Sequence, residues 1–291
     1  MLAALLATAM ASAASATFPG ANGRVMYEVN PENGYHPILH TILPDGSDGQ
    51  AIAQWVTSAS WSPNGRRIVF STDHPPGVYS LYSMRADGSG VRQLAVDGLN
   101  PSYSPSGGRI VFVSYAGITI MRSDGSDKHV IGQGVLTTWS PDGRWITYIK
   151  GSKGLRRPTL WEMHPNGTRK HQLVILGNNG GDGPIYSPDS KKFLFVRWHG
   201  DGSHTTFLAD EDGRNVRRPP CADYFNLNGR YPASYSPDGR LISQFAPLYF
   251  GSKLAHLYRL RISDCRSRLV TRRAWFGGAT DWQPLPERTT D

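Results

Sequence analysis

A chain of 291 residues with 39% hydrophobic and 19% charged residues can bury a sizeable core, which argues against a disordered protein. Its 32 glycines and 21 prolines are typical of many short strands joined by turns rather than of long helices. The net charge is +8, but the basic residues are dispersed as pairs such as Arg66-Arg67 and Arg217-Arg218. Dispersed charge favours a solvated basic surface, so we expect no nucleic acid partner and keep an anionic polymer as an alternative partner.

The first sixteen residues are small and apolar, and Ala-Ser-Ala occurs at 11–13 and again at 14–16. This pattern resembles a secretory signal with an A-x-A cleavage site, although it lacks a basic n-region. The apolar run is too short to span a bilayer. We therefore predict a signal peptide at 1–16, export to the periplasm or the medium, and no transmembrane anchor.

A hairpin motif then recurs along the chain. Each copy consists of an aromatic residue, Ser-Pro, a pair of turn residues and a short strand with apolar residues at alternate positions. The copies begin at Trp61, Tyr103, Trp139, Tyr186 and Tyr235. Proline presets φ in such a turn, and the glycine that usually ends it accepts a strained φ. A second marker, Asp-Gly or Asn-Gly, predicts a hairpin between a third and a fourth strand of each repeat except the last, where Ser263-Asp264-Cys265 lacks the glycine and should form a looser turn.

The spacing of these motifs predicts the architecture. The repeated aromatics at 61, 103, 139, 186, 235 and 282 are 36 to 49 residues apart, which is the period of a four-stranded propeller blade. Residues 23–29 reproduce only the second half of the repeat, and residues 280–284 only the first half. We therefore predict an all-β, six-bladed β-propeller at 17–286 with four antiparallel strands per blade and a tail at 287–291. The C-terminal strand completes the N-terminal blade, so that no sheet edge stays open.

The aromatic-Ser-Pro-Asp-Gly-Arg/Lys-x-Ile-x-Phe core, followed by an Asp-Gly-Ser turn, resembles the propeller repeat of the TolB-like family. The resemblance extends from about Ala21 to Pro284. TolB itself carries an α/β domain before its propeller, for which this sequence has no room. The resemblance therefore implies the fold, export and a tendency to bind partners, rather than the role of TolB in the Tol-Pal system.

Ligands of a propeller usually meet the face formed by the loops between second and third strands and between consecutive blades. The most elaborate of these loops are expected at 177–183, 198–204 and 219–230, and long loops are where binding sites tend to lie. The candidate ligand-binding residues on this face are His74, Tyr115, Arg197, His199, Asp201, His204, Asp223, Tyr224 and Tyr249.

The metal and catalytic signatures that we considered are weak or missing. His199, Asp201 and His204 could surround a divalent cation, but the glycines between them hold ligands poorly and no known metal motif is matched, which favours a solvated turn. Neither Gly-x-Ser-x-Gly nor His-Glu-x-x-His occurs. The repeated serine is expected to bond nearby backbone. We therefore predict no catalytic residue, no metal and no cofactor.

Two functions stay open from the sequence. The first is an exported, non-catalytic scaffold that binds protein or cell-envelope partners. The second is a cell-envelope enzyme, a polysaccharide lyase or hydrolase, with its site at the channel mouth. Convergence of Arg197, His199 and Asp201 with His74 or Asp223 in one pocket would favour the enzyme, because fold alone does not decide function.

The two cysteines, Cys221 and Cys265, are the last open question. Export favours a disulfide between them. The predicted topology, however, places Cys221 after an outer strand and Cys265 in a turn at the other end of that blade edge. A bridge needs Cα atoms within about 7 Å. Geometry and compartment thus point in opposite directions, so the bridge stays open, with two free thiols slightly favoured.

Overall fold

The computed structural model describes residues 17–29, 37–75, 77–152, 156–201, 203–226, 231–247, 254–275 and 280–286. The predicted signal peptide at 1–16, the tail at 287–291 and the candidate ligand residue Tyr249 lie outside the described residues. Within the described ranges, no helix is long and apolar enough to cross a membrane.

The structure is a ring of six antiparallel sheets, which confirms the predicted six-bladed β-propeller. Blade one contains β1 (Ala21–Val29), β2 (Ile38–Ile42), β3 (Gln50–Gln54) and the C-terminal β23 (Thr280–Leu285). Blade two contains β4 (Val56–Trp61), β5 (Arg67–Asp73), β6 (Tyr79–Arg85) and β7 (Arg92–Ala95). Blade three contains β8 (Leu99–Tyr103), β9 (Arg109–Ser114), β10 (Gly117–Arg122) and β11 (His129–Gly132).

The second half of the ring follows the same order. Blade four contains β12 (Val135–Trp139), β13 (Ile146–Ser152), β14 (Arg156–Met163) and β15 (His171–Ile175). Blade five contains β16 (Gly181–Tyr186), β17 (Lys192–Trp198) and β18 (His204–Asp210), followed by a short helix α1 (Ala222–Asn226). Blade six contains β19 (Tyr231–Tyr235), β20 (Leu241–Pro247), β21 (Leu254–Arg261) and β22 (Ser267–Trp275).

The two ends of the chain close the ring, as the half-repeats predicted. Strand β23 pairs antiparallel with β1, and Trp282 lies opposite Val25. The buried Asp281 then ties blade one to blade two, because its Oδ2 accepts a hydrogen bond from the backbone N of Trp61 at 3.0 Å. Closure pairs the edge of β1 that would otherwise be open and invite aggregation.

The repeated turns have the predicted chemistry. The backbone N of Gly65 donates to the carbonyl of Ser62 at 2.8 Å, which closes the tight turn. The Ser62 hydroxyl accepts from the backbone N of Arg67 at 2.9 Å. The equivalent serines of blades three to six accept the same bond: Ser104, Ser140, Ser187 and Ser236. The serine therefore stabilises the turn, as expected.

The core lies between the blades. The six repeated aromatics are each 8% exposed or less: Trp61, Tyr103, Trp139, Tyr186, Tyr235 and Trp282. One hydrophobic cluster runs from Val69 of blade two through Ile110 of blade three to Ile146 of blade four. Burial of such large rings against the neighbouring sheet explains why an aromatic recurs at this position of the repeat.

Blade five departs from the regular pattern. Its described sheet has three strands, and beyond β18 there is only a single bridge between Leu208 and Arg217. Helix α1 follows this free edge and buries Phe225 in the cluster shared by blades five and six. A segment that is not a regular strand thus occupies the outer position of the blade.

This departure corrects the expectation of two free thiols. Cys221 and Cys265 form a disulfide with a Cα–Cα distance of 5.4 Å. Without a full outer strand, the chain has not crossed the blade when it reaches Cys221, whose sulfur lies 3.6 Å from the carbonyl oxygen of Ile262. Cys221 therefore meets the turn that contains Cys265, instead of lying at the opposite end.

The topology gives the ring two faces. The turn face carries the Ser-Pro turns and the Asp-Gly turns. The loop face, on the other side, carries the loops between second and third strands and the connections between consecutive blades. This arrangement decides which candidate residues lie on the same side of the ring.

Candidate functional site

The described candidate residues fall into two groups, which are separated by half of the ring. His74 and Tyr115 lie on the loop face of blades two and three. Arg197, His199, Asp201 and His204 belong to blade five, which is opposite blade two in a ring of six. Asp223 and Tyr224 lie on helix α1, beside blade five.

Around Tyr115, three exposed apolar side chains form what we call the valine–tyrosine patch: Val78 (45% exposed), Val96 (68%) and Tyr115 (54%). Each comes from a different loop, and hydrogen bonds hold the three loops together. The Tyr115 hydroxyl donates to the carbonyl of Gly77 at 3.4 Å, and its backbone N donates to both carboxylate oxygens of Asp97 at 3.1 Å. The patch therefore has a defined shape across the junction of blades two and three.

His74 lies beside this patch. Its ring is exposed and lies 4.2 Å, centroid to centroid, from the ring of Trp55. Trp55 belongs to the connection from blade one to blade two, so the stack links two loops of the same face. His74 extends the aromatic surface next to the valine–tyrosine patch instead of joining the blade-five group.

In blade five, Arg197 is fixed by the fold. Its Nε donates to the carbonyl of Ile175 at 3.1 Å, and its guanidinium lies 4.6 Å from the ring centroid of Phe207. Partial burial lowers the pKa of Arg197. The cation thus anchors the end of β15 to blade five, where stacking on an aromatic ring stabilises it.

The other three polar residues of this loop make separate contacts. His199 Nε2 lies 2.8 Å from the Thr205 hydroxyl, whereas His204 Nε2 donates to the carbonyl of Phe225 at 3.1 Å. The Asp201 carboxylate accepts from the backbone N and hydroxyl of Ser203, which lowers its pKa. Across the described ranges, no three His, Cys, Asp or Glu side chains are grouped so that they could hold a metal ion.

Asp182 and Glu162 are two of the buried acids that were not among the candidates. Asp182, on the inner strand β16, is 5% exposed, and its carboxylate accepts from Trp198 Nε1 at 2.5 Å. Glu162, on β14, is buried at the turn face, and its Oε1 lies 2.9 Å from His171 Nε2. The alternation of side chains along a strand indicates on which face of the sheet each side chain lies, but not what covers that face. The sequence alone therefore did not show that either acid is enclosed.

Comparison with models of protein families finds no match, and comparison with curated proteins finds none either. Solved structures do match. TolB from Acinetobacter baumannii superposes with a TM-score of 0.70 at 17% identity, over 90% of this chain and 67% of that chain. The fold is that of the TolB propeller.

Two further solved structures share this fold. A chain of a nidogen/laminin complex matches with a TM-score of 0.65 at 10% identity, over 90% of this chain and 99% of that chain. An oligogalacturonate lyase in complex with manganese matches with a TM-score of 0.52 at 14% identity, over 87% of this chain and 74% of that chain. At these identities the TolB-like fold is shared with proteins whose names describe different functions, so the fold does not assign one.

Proposed function

We propose that this TolB-like propeller is an exported, non-catalytic binding module that binds a protein partner of the cell envelope through its loop face. The observation that carries the proposal is the valine–tyrosine patch, in which Val78, Val96 and Tyr115 stay exposed on one surface. Contiguous exposed apolar side chains on a soluble domain mark interaction surfaces, and tyrosine is enriched in them.

The hydrogen bonds around the patch support this function. Asp97 holds the backbone of Tyr115, and Tyr115 in turn holds the loop of Gly77, so the three loops are ordered before any partner arrives. A preordered surface loses less conformational entropy on binding. The nearby ring of His74, stacked on Trp55, enlarges the same surface.

The arrangement of the polar candidates supports binding over the alternative, an enzyme acting on polysaccharide. Arg197, His199 and Asp201 each bond to structural groups of their own, and His74 lies across the ring from them. General acid–base catalysis needs such groups within reach of one substrate position. Among the solved structures, the nidogen/laminin complex supports the binding function and the oligogalacturonate lyase the alternative.

Export with cleavage after Ala16 is part of the proposal. Thr17 and Phe18 are both buried, and the Thr17 hydroxyl donates to the carbonyl of Tyr235 at 3.4 Å, so the residues that directly follow the A-x-A sequence belong to the packed ring. The disulfide between Cys221 and Cys265 fits an oxidising compartment. Detection of the protein outside the cytoplasm, with Thr17 as its first residue, would test this part.

The binding function is tested with a double variant of the patch, Val96→Glu with Tyr115→Ser. Wild-type protein is first cross-linked to its partner in envelope extract, and the purified partner is then titrated against each variant. Because charge and lost aromatic area penalise an apolar interface, we expect the affinity to fall by about tenfold or more. An unchanged affinity would refute the assignment to this patch.

The matched control is Val91→Glu with Val130→Ser. Val91 and Val130 are also exposed, but they lie at the turn-face ends of outer strands. This variant carries the same kinds of change, and we expect it to bind like the wild type. Equal losses in the two double variants would mean that the partner does not distinguish the faces.

A further inference from the structure

On the turn face, a cavity of about 650 Å³ opens between blades two and three. Blade two contributes Arg67 and Arg92 to its wall, and blade three contributes Tyr103, Ser106 and Asp124. The wall thus carries two guanidinium groups and one carboxylate. That carboxylate is engaged, because Asp124 Oδ1 accepts from the backbone N and the hydroxyl of Ser126.

Arg67 is half-buried in this wall, and its hydrogen-bond partners are neutral. Its Nη2 donates to the Ser83 hydroxyl at 2.9 Å, and it also hydrogen-bonds to the side chain of Tyr103. Within the described part of the chain, Arg67 forms no ion pair. A partly desolvated cation without a counter-charge is costly, which distinguishes this position from an ordinary surface arginine.

The preceding blade shows how the same arginine position is neutralised. Arg24 occupies the place of Arg67 in the repeat, and its Nε donates to the hydroxyl of Thr41 at 3.0 Å, as Arg67 does to Ser83. Arg24 has an additional partner, because its Nη1 lies 2.6 Å from Asp48 Oδ2. Asp48 is the residue that directly follows the Asp45-Gly46-Ser47 turn.

In blade two, the residue that follows the equivalent turn, Asp87-Gly88-Ser89, is Gly90. The backbone is equivalent, since φ is 53° at Asp48 and 64° at Gly90. Gly90 lines the cavity beside Arg67. The carboxylate that neutralises Arg24 in blade one is therefore missing in blade two, where the Arg85 guanidinium lies 3.2 Å from the place that a Cβ of Gly90 would take.

We propose that this cavity binds a small ligand through a carboxylate, which occupies the place of the missing aspartate and pairs with Arg67. An acidic sugar is the class that fits best, because the hydroxyls of Ser106 and Ser123 line the same wall, whereas the Ser62 hydroxyl is bonded within its own turn. Guanidinium groups bind carboxylates through paired, charge-assisted hydrogen bonds. The volume lies within the range of pockets that enclose small molecules.

Arg92 provides the second cation of the site. Its Nη2 donates to the backbone carbonyl of Asp124 at 2.9 Å, which fixes the guanidinium at the blade-three side of the cavity. A ligand carboxylate at Arg67 therefore also experiences the field of Arg92. This field decays with ionic strength, so binding is measured at low salt.

The first test titrates the protein with D-glucuronate and, in parallel, with D-glucose, using calorimetry at low ionic strength. The two sugars have the same ring and differ in the carboxylate. Because a charge-assisted contact is lost with glucose, we expect glucuronate to bind about tenfold more tightly or better. Equal affinity for the two sugars, or no binding of glucuronate, would overturn the proposal.

The second test restores the missing carboxylate with Gly90→Asp. Aspartate tolerates this φ, as Asp48 does, and a Cβ at Gly90 would meet only the end of the Arg85 side chain at 3.2 Å. The new carboxylate should pair with Arg67 and with the adjacent guanidinium of Arg85, and should weaken glucuronate binding about tenfold, with no loss of melting temperature. Gly90→Asn has the same size without the charge and should retain most of the affinity.

Removal of the cation completes the series. Arg67→Gln should abolish the preference for glucuronate, whereas Arg109→Gln should bind like the wild type. Arg109 has the same repeat position in blade three but does not line the cavity. If Gly90→Asp and Gly90→Asn bind equally, or if Arg67→Gln keeps the preference, Arg67 is not the carboxylate site.

Discussion

The fold changes the ionisation of Glu162, a buried acid on β14. Its side chain is 3% exposed and lies 2.9 Å from His171 Nε2. Burial, together with the nearby carboxylates of Glu211, Asp142 and Asp212, raises the pKa of Glu162 to about 8, although Arg144 acts in the opposite direction. Glu162 therefore holds a proton at neutral pH in the folded protein.

The first prediction concerns the pH dependence of stability. In the unfolded chain Glu162 titrates near its ordinary value of 4.5, so the folded state binds more protons between pH 4.5 and about 8. Stability must then fall as the pH rises through this window. We expect Glu162→Gln to remove this part of the dependence, so that its melting temperature rises by several degrees relative to wild type between pH 5 and pH 8.

The control for this measurement is Glu211→Gln. Glu211 is half-exposed and raises the pKa of Glu162 without being enclosed itself. Its variant should keep most of the wild-type dependence on pH. If the melting temperatures of Glu162→Gln and wild type changed in parallel with pH, Glu162 would not take up a proton on folding.

The sequence did not predict this acid, and the reason is physical. Glu162 lies on a third strand, where alternation assigns a side chain to one face of the sheet but does not show what covers that face. Its surroundings come from Trp145 and His171 of the same blade and Tyr186 of the next. Contacts between blades depend on how two sheets pack, and the period of the repeat does not give that packing.

At the scale of elements, the outer position of blade five decides how the cysteines pair. The chain from Leu208 onward makes one bridge at Arg217 and then forms helix α1 in place of a regular strand. The sequence marked the turn at Asp212-Gly213 correctly, and the expected regular strand after it was the source of the error about Cys221. A repeat predicts its regular copies better than a copy in which one strand is replaced.

The second prediction follows from the disulfide. Cys221 and Cys265 are 44 residues apart, and a cross-link over a loop of that length stabilises the folded state by about 4 kcal/mol, mainly by restricting the unfolded chain. We expect the double variant Cys221→Ser, Cys265→Ser to unfold at a correspondingly lower urea concentration. Reduced wild-type protein should match the variant. Identical unfolding of oxidised wild type and variant would exclude a stabilising bridge.

At the scale of the whole molecule, the sequence was sufficient to predict the ring of six blades but not to predict where its candidate sites lie. The spacing of the aromatics and the split repeat at the two ends gave six blades and their closure, because each blade must bury the same position against its neighbour. The cavity beside Arg67 instead depends on a position that differs between blades, where Gly90 stands in place of the aspartate of blade one. A pattern shared by all blades cannot reveal such a difference.

The third prediction tests the closure of the ring. Strand β23 supplies Trp282, which is buried in the cluster shared by blades one and six, and Asp281, which binds the backbone of Trp61 in blade two. A protein shortened to residue 279 loses both contacts and leaves the edge of β1 unpaired, so we expect it to lose its cooperative thermal transition and to aggregate. A protein shortened to residue 286 keeps the whole strand and should melt like the full chain. If the two shortened proteins melt alike, the ring does not depend on its last strand.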